Sequence, residues 1–216
     1  MNVSAIVVSF NGAAHLATAV ASVLQQTRPP SEIIVVDDGS TDETARIAQA
    51  YGSSIKYVPK RNGGQGSALN LGISIARFPY LAFLDHDDFW ATDKLARQSQ
   101  VMNNNDCDVV VGGVTNVTLH RDNTIEQRYV GPARLFGACL FKARTFDVVG
   151  PLREDRHIHE IVEWWGRANG KIAVAEDERT ILYRSIHGEN QTIKHREASR
   201  ADLLTRVREV NRQRHL

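Results

Sequence analysis

The stretch Val35-Val36-Asp37-Asp38-Gly39-Ser40-Thr41-Asp42 joins an apolar run to two acidic residues, a tight turn and the start of a helix. The apolar run predicts a buried strand over Glu32–Asp37. Residues 40–43 have the pattern of a capping box, in which the Ser40 hydroxyl and the Glu43 carboxylate would each accept from a free amide. Because ligands of open α/β sheets bind at the carboxyl ends of strands, these acids stand where a ligand would bind. Taken alone, however, the stretch favours acids that only cap a turn.

A second acidic stretch, Ala82-Phe83-Leu84-Asp85-His86-Asp87-Asp88, repeats the arrangement. An apolar strand runs directly into three carboxylates within four residues. Carboxylates this close repel one another unless they share a cation, and their oxygens suit Mg²⁺ or Mn²⁺ held together with a diphosphate. We therefore favour a divalent-cation site here over a solvated acidic loop that caps the next helix.

Short β-rich runs alternate with helical patterns throughout residues 1–112. Predicted strands cover Val3–Ser9, Glu32–Asp37 and residues 55–58, 80–84 and 108–111. This alternation predicts an α/β fold with a mostly parallel sheet flanked by helices. Beyond residue 113 the pattern predicts a hairpin around Arg121-Asp122-Asn123, a helix over residues 159–169, strands over 171–176 and 180–183, and a last helix over 197–214.

Composition narrows the class of protein. The chain has 216 residues, with 26 Lys and Arg against 25 Asp and Glu, which gives no global charge signal for nucleic acid. No apolar run approaches the ~18 residues that span a bilayer. Cys107 and Cys139 lack metal-site spacing and are predicted to be free thiols of a reducing compartment. We expect a soluble, cytoplasmic protein.

The motifs together closely resemble family 2 glycosyltransferases of the GT-A type. The resemblance is carried by Val7-Val8-Ser9-Phe10-Asn11-Gly12, the Asp-Asp-Gly-Ser-Thr-Asp stretch, the Gly-rich residues 62–70 and the Asp-x-Asp motif at residues 85–87. It implies a GT-A Rossmann-like, mostly parallel sheet flanked by helices, with a mixed acceptor-side C-terminal half. Residues 1–112 would bind the nucleotide sugar, residues 113–190 would form the acceptor side of the same domain, and residues 191–216 would form a C-terminal amphipathic helix.

The resemblance also implies roles for donor-side residues. It places Val8 and Phe10 beside the nucleobase, with Asp38 hydrogen-bonded to the base. It places Asp85 near the ribose or diphosphate, and Asn70 with the Gly63–Gly66 loop beside the nucleotide. It makes Asp87 the principal ligand of the cation, Mn or Mg, and gives His187 a place at the metal or diphosphate site.

The catalytic base departs from the family pattern. Inverting members carry a Glu-Asp pair whose Asp deprotonates the acceptor hydroxyl, whereas Ile161 stands here after Glu160. Glu160 and Glu163 are the leading candidates, since a general base must be a carboxylate within reach of that hydroxyl. Asp155 and His159 are weaker candidates, and loss of the base is the remaining alternative.

The acceptor side is assigned from the same resemblance. One indole of Trp164 and Trp165 is expected to face the cleft and pack on a sugar ring, and Gly137 falls in the loop that bears part of the acceptor face. The C-terminal helix is expected to dock on the domain, with a second subunit or an anionic membrane surface as other partners.

These inferences predict a metal-dependent, inverting glycosyltransferase that moves a sugar from a UDP-, dTDP- or GDP-sugar donor to an acceptor hydroxyl. The acceptor would be a glycan, a lipid-linked molecule or a small molecule, in surface glycan or glycoconjugate biosynthesis, with no nucleic-acid partner. A non-catalytic nucleotide-sugar-binding protein is the alternative that Ile161 motivates. A nucleotidyltransferase is a third reading, against which stands the lack of a Gly-rich, Arg-containing loop after Val8.

Overall fold

A computed structural model describes residues 1–119, 125–154 and 160–186. Predictions for His187, the helix over 191–216, the hairpin turn, Asp155 and His159 therefore fall outside the described residues. None of the helices among the described residues combines the length and the hydropathy of a membrane span.

The first half of the chain alternates strands and helices as predicted. Its strands are β1 (Val3–Ser9), β2 (Glu32–Asp37), β3 (Lys56–Pro59), β4 (Tyr80–Asp85) and the short β5 (Phe89–Trp90). Its helices are α1 (Leu16–Leu24), α2 (Thr44–Gln49), α3 (Gln65–Ile75) and α4 (Lys94–Asn104). Strands β3, β2, β1 and β4 pair in that order, and every one of these pairs is parallel.

The second half extends the same sheet with mixed strand directions. It contains β6 (Val109–Leu119), β7 (Ile125–Pro132), β8 (Cys139–Lys142), α5 (Arg144–Val149), α6 (Glu160–Ala168) and β9 (Val174–Ile186). Strand β8 lies antiparallel between β4 and β6, and β7 pairs antiparallel with β6 as the predicted hairpin requires. Strand β9 runs parallel to β6 and also pairs with β5. The result is the predicted mostly parallel GT-A-type sheet with a mixed C-terminal half.

The core lies on the two faces of this sheet. Alternating side chains of β1 point to opposite faces, so Val7 packs with α1 on one side and Ile6 packs with α3 on the other. The second face also holds an aromatic cluster, in which Phe83, Phe136, Phe141 and Trp164 pack together. Helices α3 and α6 are therefore held on one face of the sheet, beside the ends of β1 and β4.

Two local predictions differ from the structure. The capping box is absent, because the Ser40 hydroxyl accepts from the amide of Asn11 and Glu43 pairs with Arg46, so α2 begins only at Thr44. The two late strands form one strand, β9, whose pairing with β6 shifts register at Gly112 and Gly113.

Candidate active site

The carboxyl ends of β2, β1 and β4 lie side by side, and this edge brings the two acidic stretches together. The parallel registers align Ser9 with Asp37 and Val8 with Asp85. The Asp38 amide donates to the Ser9 carbonyl at 2.8 Å, and the His86 amide donates to the Val8 carbonyl at 3.1 Å. Both acidic stretches are thus anchored to the end of the same central strand.

The turn after β1 is tied to the turn after β2. The Asn11 backbone has a φ of 50°. Its Oδ1 accepts from the Thr41 amide at 2.9 Å, and its backbone amide donates to Ser40 Oγ at 2.8 Å. A Cβ at Gly12 would lie within 2.6 Å of both Ser9 Oγ and the His86 ring, so a larger residue would force these side chains to move. Phe10 is 40% exposed, which leaves its ring as an accessible apolar surface at this edge, whereas Val8 is buried.

Asp38 orders the Gly-rich loop. Its carboxylate accepts from the backbone amides of Gly63 at 3.0 Å and Gly64 at 2.8 Å, and it pairs with Lys60 Nζ at 2.6 Å. Asp38 is only 4% exposed, so these bonds compensate the loss of hydration of its charge. Asp38, which was predicted to bind a nucleobase, therefore lies directly after the carboxyl end of β2. Most of its hydrogen-bond acceptor capacity is used to hold the Gly-rich loop.

Asp37 has a structural environment. It accepts from the Ser40 amide at 2.9 Å and from the Tyr57 hydroxyl at 2.6 Å. Burial, together with the hydrogen bond to Asp37 and the charge of that carboxylate, raises the pKa of Tyr57. This aspartate caps the turn, as expected of the acidic stretch when it is considered alone.

The Asp-x-Asp motif forms a concentrated negative charge. Loss of hydration, followed by repulsion from Asp87, raises the pKa of Asp85 to about 7, although Gln65 donates to it at 2.7 Å. Burial and the charges of Asp85 and Asp87 also raise the pKa of Asp88, which accepts from the Ser185 amide at 3.0 Å. The charge of Arg184 opposes the rise in the pKa of Asp85 and of Asp88. Burial and carboxylate repulsion therefore outweigh the favourable contacts at both aspartates.

This cluster fits a cation that is shared with a substrate. In the described part of the chain, no three His, Cys, Asp or Glu residues are arranged to hold a metal ion by themselves. Mg²⁺ is commonly bound by one or two carboxylates while substrate phosphates and waters complete its octahedron. Asp85 and Asp87 would supply the two carboxylates of such a site, and their mutual repulsion is what a divalent ion would relieve.

Glu160 of α6 is close enough for its charge to act on the same cluster. It is the first residue of that helix and is only 3% exposed. A Cβ built at Gly66 would lie 3.4 Å from Glu160 Cγ, and the charge of Glu160 is among the influences that raise the pKa of Asp85. One of the two leading candidate bases thus lies in the electrostatic field of the aspartate cluster.

A comparison with known protein families identifies the family of this chain. The model of the family described as glycosyl transferase family 2 matches residues 4–161, which include nearly all of β1, both acidic stretches and Glu160. The chain belongs to glycosyl transferase family 2.

Several family 2 relatives are named glycosyltransferases. An uncharacterised glycosyltransferase of Rickettsia conorii is 41% identical over 209 residues, which cover 87% of this chain and 34% of that protein. Glycosyltransferase GlyG of Streptococcus pneumoniae is 34% identical over 118 residues, which cover 53% of this chain and 39% of GlyG. The matched part of the chain therefore spans only about a third of the length of such relatives.

Solved structures share the family 2 fold at low identity. S. aureus TarS, residues 1–349 in complex with UDP, superimposes with a TM-score of 0.71 at 19% identity, covering 88% of this chain and 62% of that one. The same TarS fragment in complex with UDP-GlcNAc gives a TM-score of 0.72 at 19% identity, covering 90% and 61%. These comparisons establish the GT-A fold.

The residues predicted for the acceptor side of this family 2 site lie elsewhere in the structure. Trp164 is fully buried and donates from Nε1 to the Gly150 carbonyl at 2.9 Å, so its indole has no exposed face for a sugar ring. Trp165 is also a core residue, at 6% exposure. Gly137 is buried, and a Cβ built on it would lie 3.1 Å from the Leu182 side chain. The structure places all three in the core instead of on an acceptor surface.

Glu163 orients Arg167, which links α6 to residues 149–151. Its carboxylate forms a two-pronged pair with Arg167, at 2.7 and 3.1 Å, and Arg167 also donates to the carbonyls of Val149 and Pro151. Glu160 is therefore the candidate base that the contacts around α6 favour. Asn70, expected beside the nucleotide, binds the backbone of Leu152 and the Glu154 carboxylate.

Sequence reasoning missed two polar residues of the site. It also did not predict that the charge of Arg184 acts on the aspartate cluster. Lys60 pairs with Asp38, and Gln65 binds Asp85. The charge of Arg184 acts on Asp85 from the far end of β9. In the sequence, Gln65 belongs only to a Gly-rich loop and Lys60 to no motif. The order of residues along the chain carries no signal for such contacts across the sheet.

Proposed function

We propose that this chain is the catalytic domain of a metal-dependent glycosyltransferase that transfers a sugar, with inversion, from a nucleotide diphosphate donor to an acceptor hydroxyl. The observation that carries the proposal is the buried Glu160, which packs near Gly66 of α3 and whose charge acts on Asp85 at the end of β4. Such a reaction requires a general base on one side of the sugar and a site for the charge of the leaving diphosphate on the other.

The donor would bind across the edge formed by β1, β2 and β4. The exposed Phe10 ring offers an apolar contact to the nucleobase, and the loop that Asp38 holds would lie along the nucleotide. Complexes of S. aureus TarS with UDP and UDP-GlcNAc support a uridine donor among the UDP-, dTDP- and GDP-sugars.

Asp87, with Asp85 beside it, would hold the divalent cation, Mn or Mg. When bound, such an ion offsets the charge that develops on the departing diphosphate. The raised pKa values of Asp85 and Asp88 support this role, because carboxylates that repel one another are stabilised by a shared cation.

Glu160 would act on the acceptor. Its carboxylate takes the proton of the acceptor hydroxyl while that oxygen forms a bond to the anomeric carbon. The bond from the anomeric carbon to the diphosphate oxygen breaks on the opposite side, and its electron pair leaves with the nucleotide diphosphate. The configuration at the anomeric carbon is inverted because the acceptor attacks and the diphosphate departs on opposite faces of the sugar. The acceptor is a glycan, lipid-linked or small-molecule hydroxyl of surface glycan or glycoconjugate biosynthesis.

The test is release of nucleotide diphosphate from a panel of nucleotide sugars in the presence of Mn²⁺ and acceptor fractions. Asp87→Ala should abolish release, and Glu160→Gln should lower kcat by about 10²- to 10⁴-fold, the usual contribution of a general base. Glu43→Gln is a matched control, because Glu43 is an exposed carboxylate next to α2 that pairs with Arg46. If the wild type binds donor but neither releases nor transfers with any acceptor, the chain is a binding protein and the proposal fails.

A further inference from the structure

Asn70 joins α3 to the segment that leads into α6. Its Nδ2 donates to the Leu152 carbonyl at 2.9 Å and to Glu154 Oε1 at 2.7 Å, while its Oδ1 accepts from the Leu152 amide at 2.9 Å. One side-chain amide thus engages both backbone groups of a single residue, as a neighbouring β-strand would. The two bonds to Leu152 fix the position and the rotation of the chain at residue 152, and the third holds the Glu154 side chain.

Gly66 makes the second contact between the same two parts. Residues 66 and 70 are one helical turn apart, so they share a face of α3. A Cβ at Gly66 would lie 2.5 Å from the Arg153 carbonyl and 3.4 Å from Glu160 Cγ. Residue 153 and Glu160 therefore both rest against α3, and the absence of a side chain at Gly66 permits it.

The first turn of α3 also contacts the aspartate cluster. Gln65 donates to Asp85 Oδ1 at 2.7 Å, one residue before Gly66 meets Glu160. A single helix therefore sets the position of Asp85 on one side and of Glu160 on the other.

We propose that Asn70 is a positioning residue that aligns Glu160 with the donor edge by holding residues 152–154 against α3. The inference rests on the proposed function, in which Glu160 is the general base. Asn70 acts through the backbone of residue 152, whereas the family resemblance implied that it lies beside the nucleotide. Because a base displaced by about 1 Å can cost about a hundredfold in rate, loss of the clamp should lower turnover without weakening donor binding.

The experiment compares Asn70→Ala and Asn70→Asp with the wild type, and with Ser74→Ala as a matched control. Ser74 is an exposed residue of the same helix whose hydroxyl donates to the Leu71 carbonyl within α3. We expect kcat for transfer to fall about tenfold to a hundredfold in both Asn70 variants, with the Kd of the nucleotide diphosphate unchanged. Ser74→Ala should keep both values.

The charge of Glu154 provides a rescue that tests whether repulsion within the clamp causes the loss of kcat. Asn70→Asp places a carboxylate where the native amide lies 2.7 Å from Glu154 Oε1, so the two acids repel. Adding Glu154→Gln to that variant supplies an N–H donor to the introduced carboxylate and should recover part of the lost kcat. Glu154→Ala alone changes an exposed residue and should lower kcat by a smaller factor than Asn70→Ala.

Three outcomes would overturn the inference. Asn70 variants that keep kcat while the wild type transfers would show that the clamp does not position the base. Weaker binding of the nucleotide diphosphate at unchanged kcat would show that Asn70 contributes to nucleotide binding instead. A wild type without transfer activity would overturn the proposed function itself and the positioning role with it, and that result is read from the same assay.

Discussion

Asp38 and Asp85 lie at neighbouring strand ends, yet their surroundings give them different properties. Asp38 accepts from two backbone amides and an ammonium group, which together match its charge. Asp85 accepts from the neutral amide of Gln65 and lies near Asp87 and Glu160, which are also negative. The contacts of Asp38 therefore order a loop, whereas the contacts of Asp85 leave its negative charge poorly compensated.

The raised pKa of Asp85 predicts a pH-dependent stability. Its folded-state pKa of about 7 lies above the ordinary value of 3.8, so between these values the folded chain binds a proton that the unfolded chain has lost. This contribution to stability is fully present below about pH 4 and is lost as the pH rises through 7.

Asp85→Asn should therefore raise the free energy of unfolding of the metal-free protein at pH 8, by on the order of 1–2 kcal/mol. The introduced amide can still accept from Gln65 through its carbonyl oxygen. Urea denaturation in a chelating buffer at pH 5 and pH 8 measures the effect, and the variant should show a smaller difference between the two pH values. A variant that is no more stable than the wild type at pH 8 would refute this account of the cluster.

Residue identity alone does not decide what each candidate does. The acids at strand ends were predictable because an apolar run followed by carboxylates is a local pattern. The burial of Trp164 and the pairing of Glu163 with Arg167 depend on how α6 packs against α5 and the sheet, which no local pattern encodes. Two adjacent tryptophans on a helix were expected to divide between core and cleft, and both lie in the core.

At the scale of elements, periodicity predicts the strands and helices of the first half well. Strand β8 was not predicted as part of the sheet, because its place between β4 and β6 depends on pairing with residues far away in sequence. The capping box failed for a similar reason, since the Asn11 amide competes for the Ser40 hydroxyl from another loop. Local signals thus specify elements, whereas the contacts between elements decide strand order and capping.

One ion pair fastens α4 to β9. Arg97 donates from one terminal nitrogen to both oxygens of Asp177 at 2.9 Å, and both side chains are largely buried. Arg97→Ala leaves a buried carboxylate with the more exposed Arg179 as its charged neighbour, so we expect a loss of about 3 kcal/mol in unfolding free energy.

Chemical denaturation of Arg97→Ala measures this loss. Comparing Arg97→Met with a double variant that adds Asp177→Asn separates charge from packing. The double variant should be more stable than Arg97→Met, because it buries no carboxylate that has lost its main partner. Equal stability of the two would show that the pair contributes no more than its packing.

At the scale of the whole molecule, the fold gathers its acidic motifs on one edge of the sheet. Parallel strands bring both acidic stretches to the end of β1, and α3 carries contacts from that edge to α6. The sequence resemblance predicted this GT-A architecture. It could not predict which carboxylate of α6 acts on Asp85, because Glu160 and Glu163 are equally compatible with helical spacing.

The most direct test is a crystal structure of the protein with Mn²⁺ and a nucleotide sugar. The account predicts anomalous scattering from manganese at Asp87, diphosphate oxygens bound to the same ion, and the Glu160 carboxylate facing the anomeric carbon from the side opposite the diphosphate. A manganese ion bound away from residues 85–88, or a donor whose anomeric carbon lies out of reach of Glu160, would contradict it.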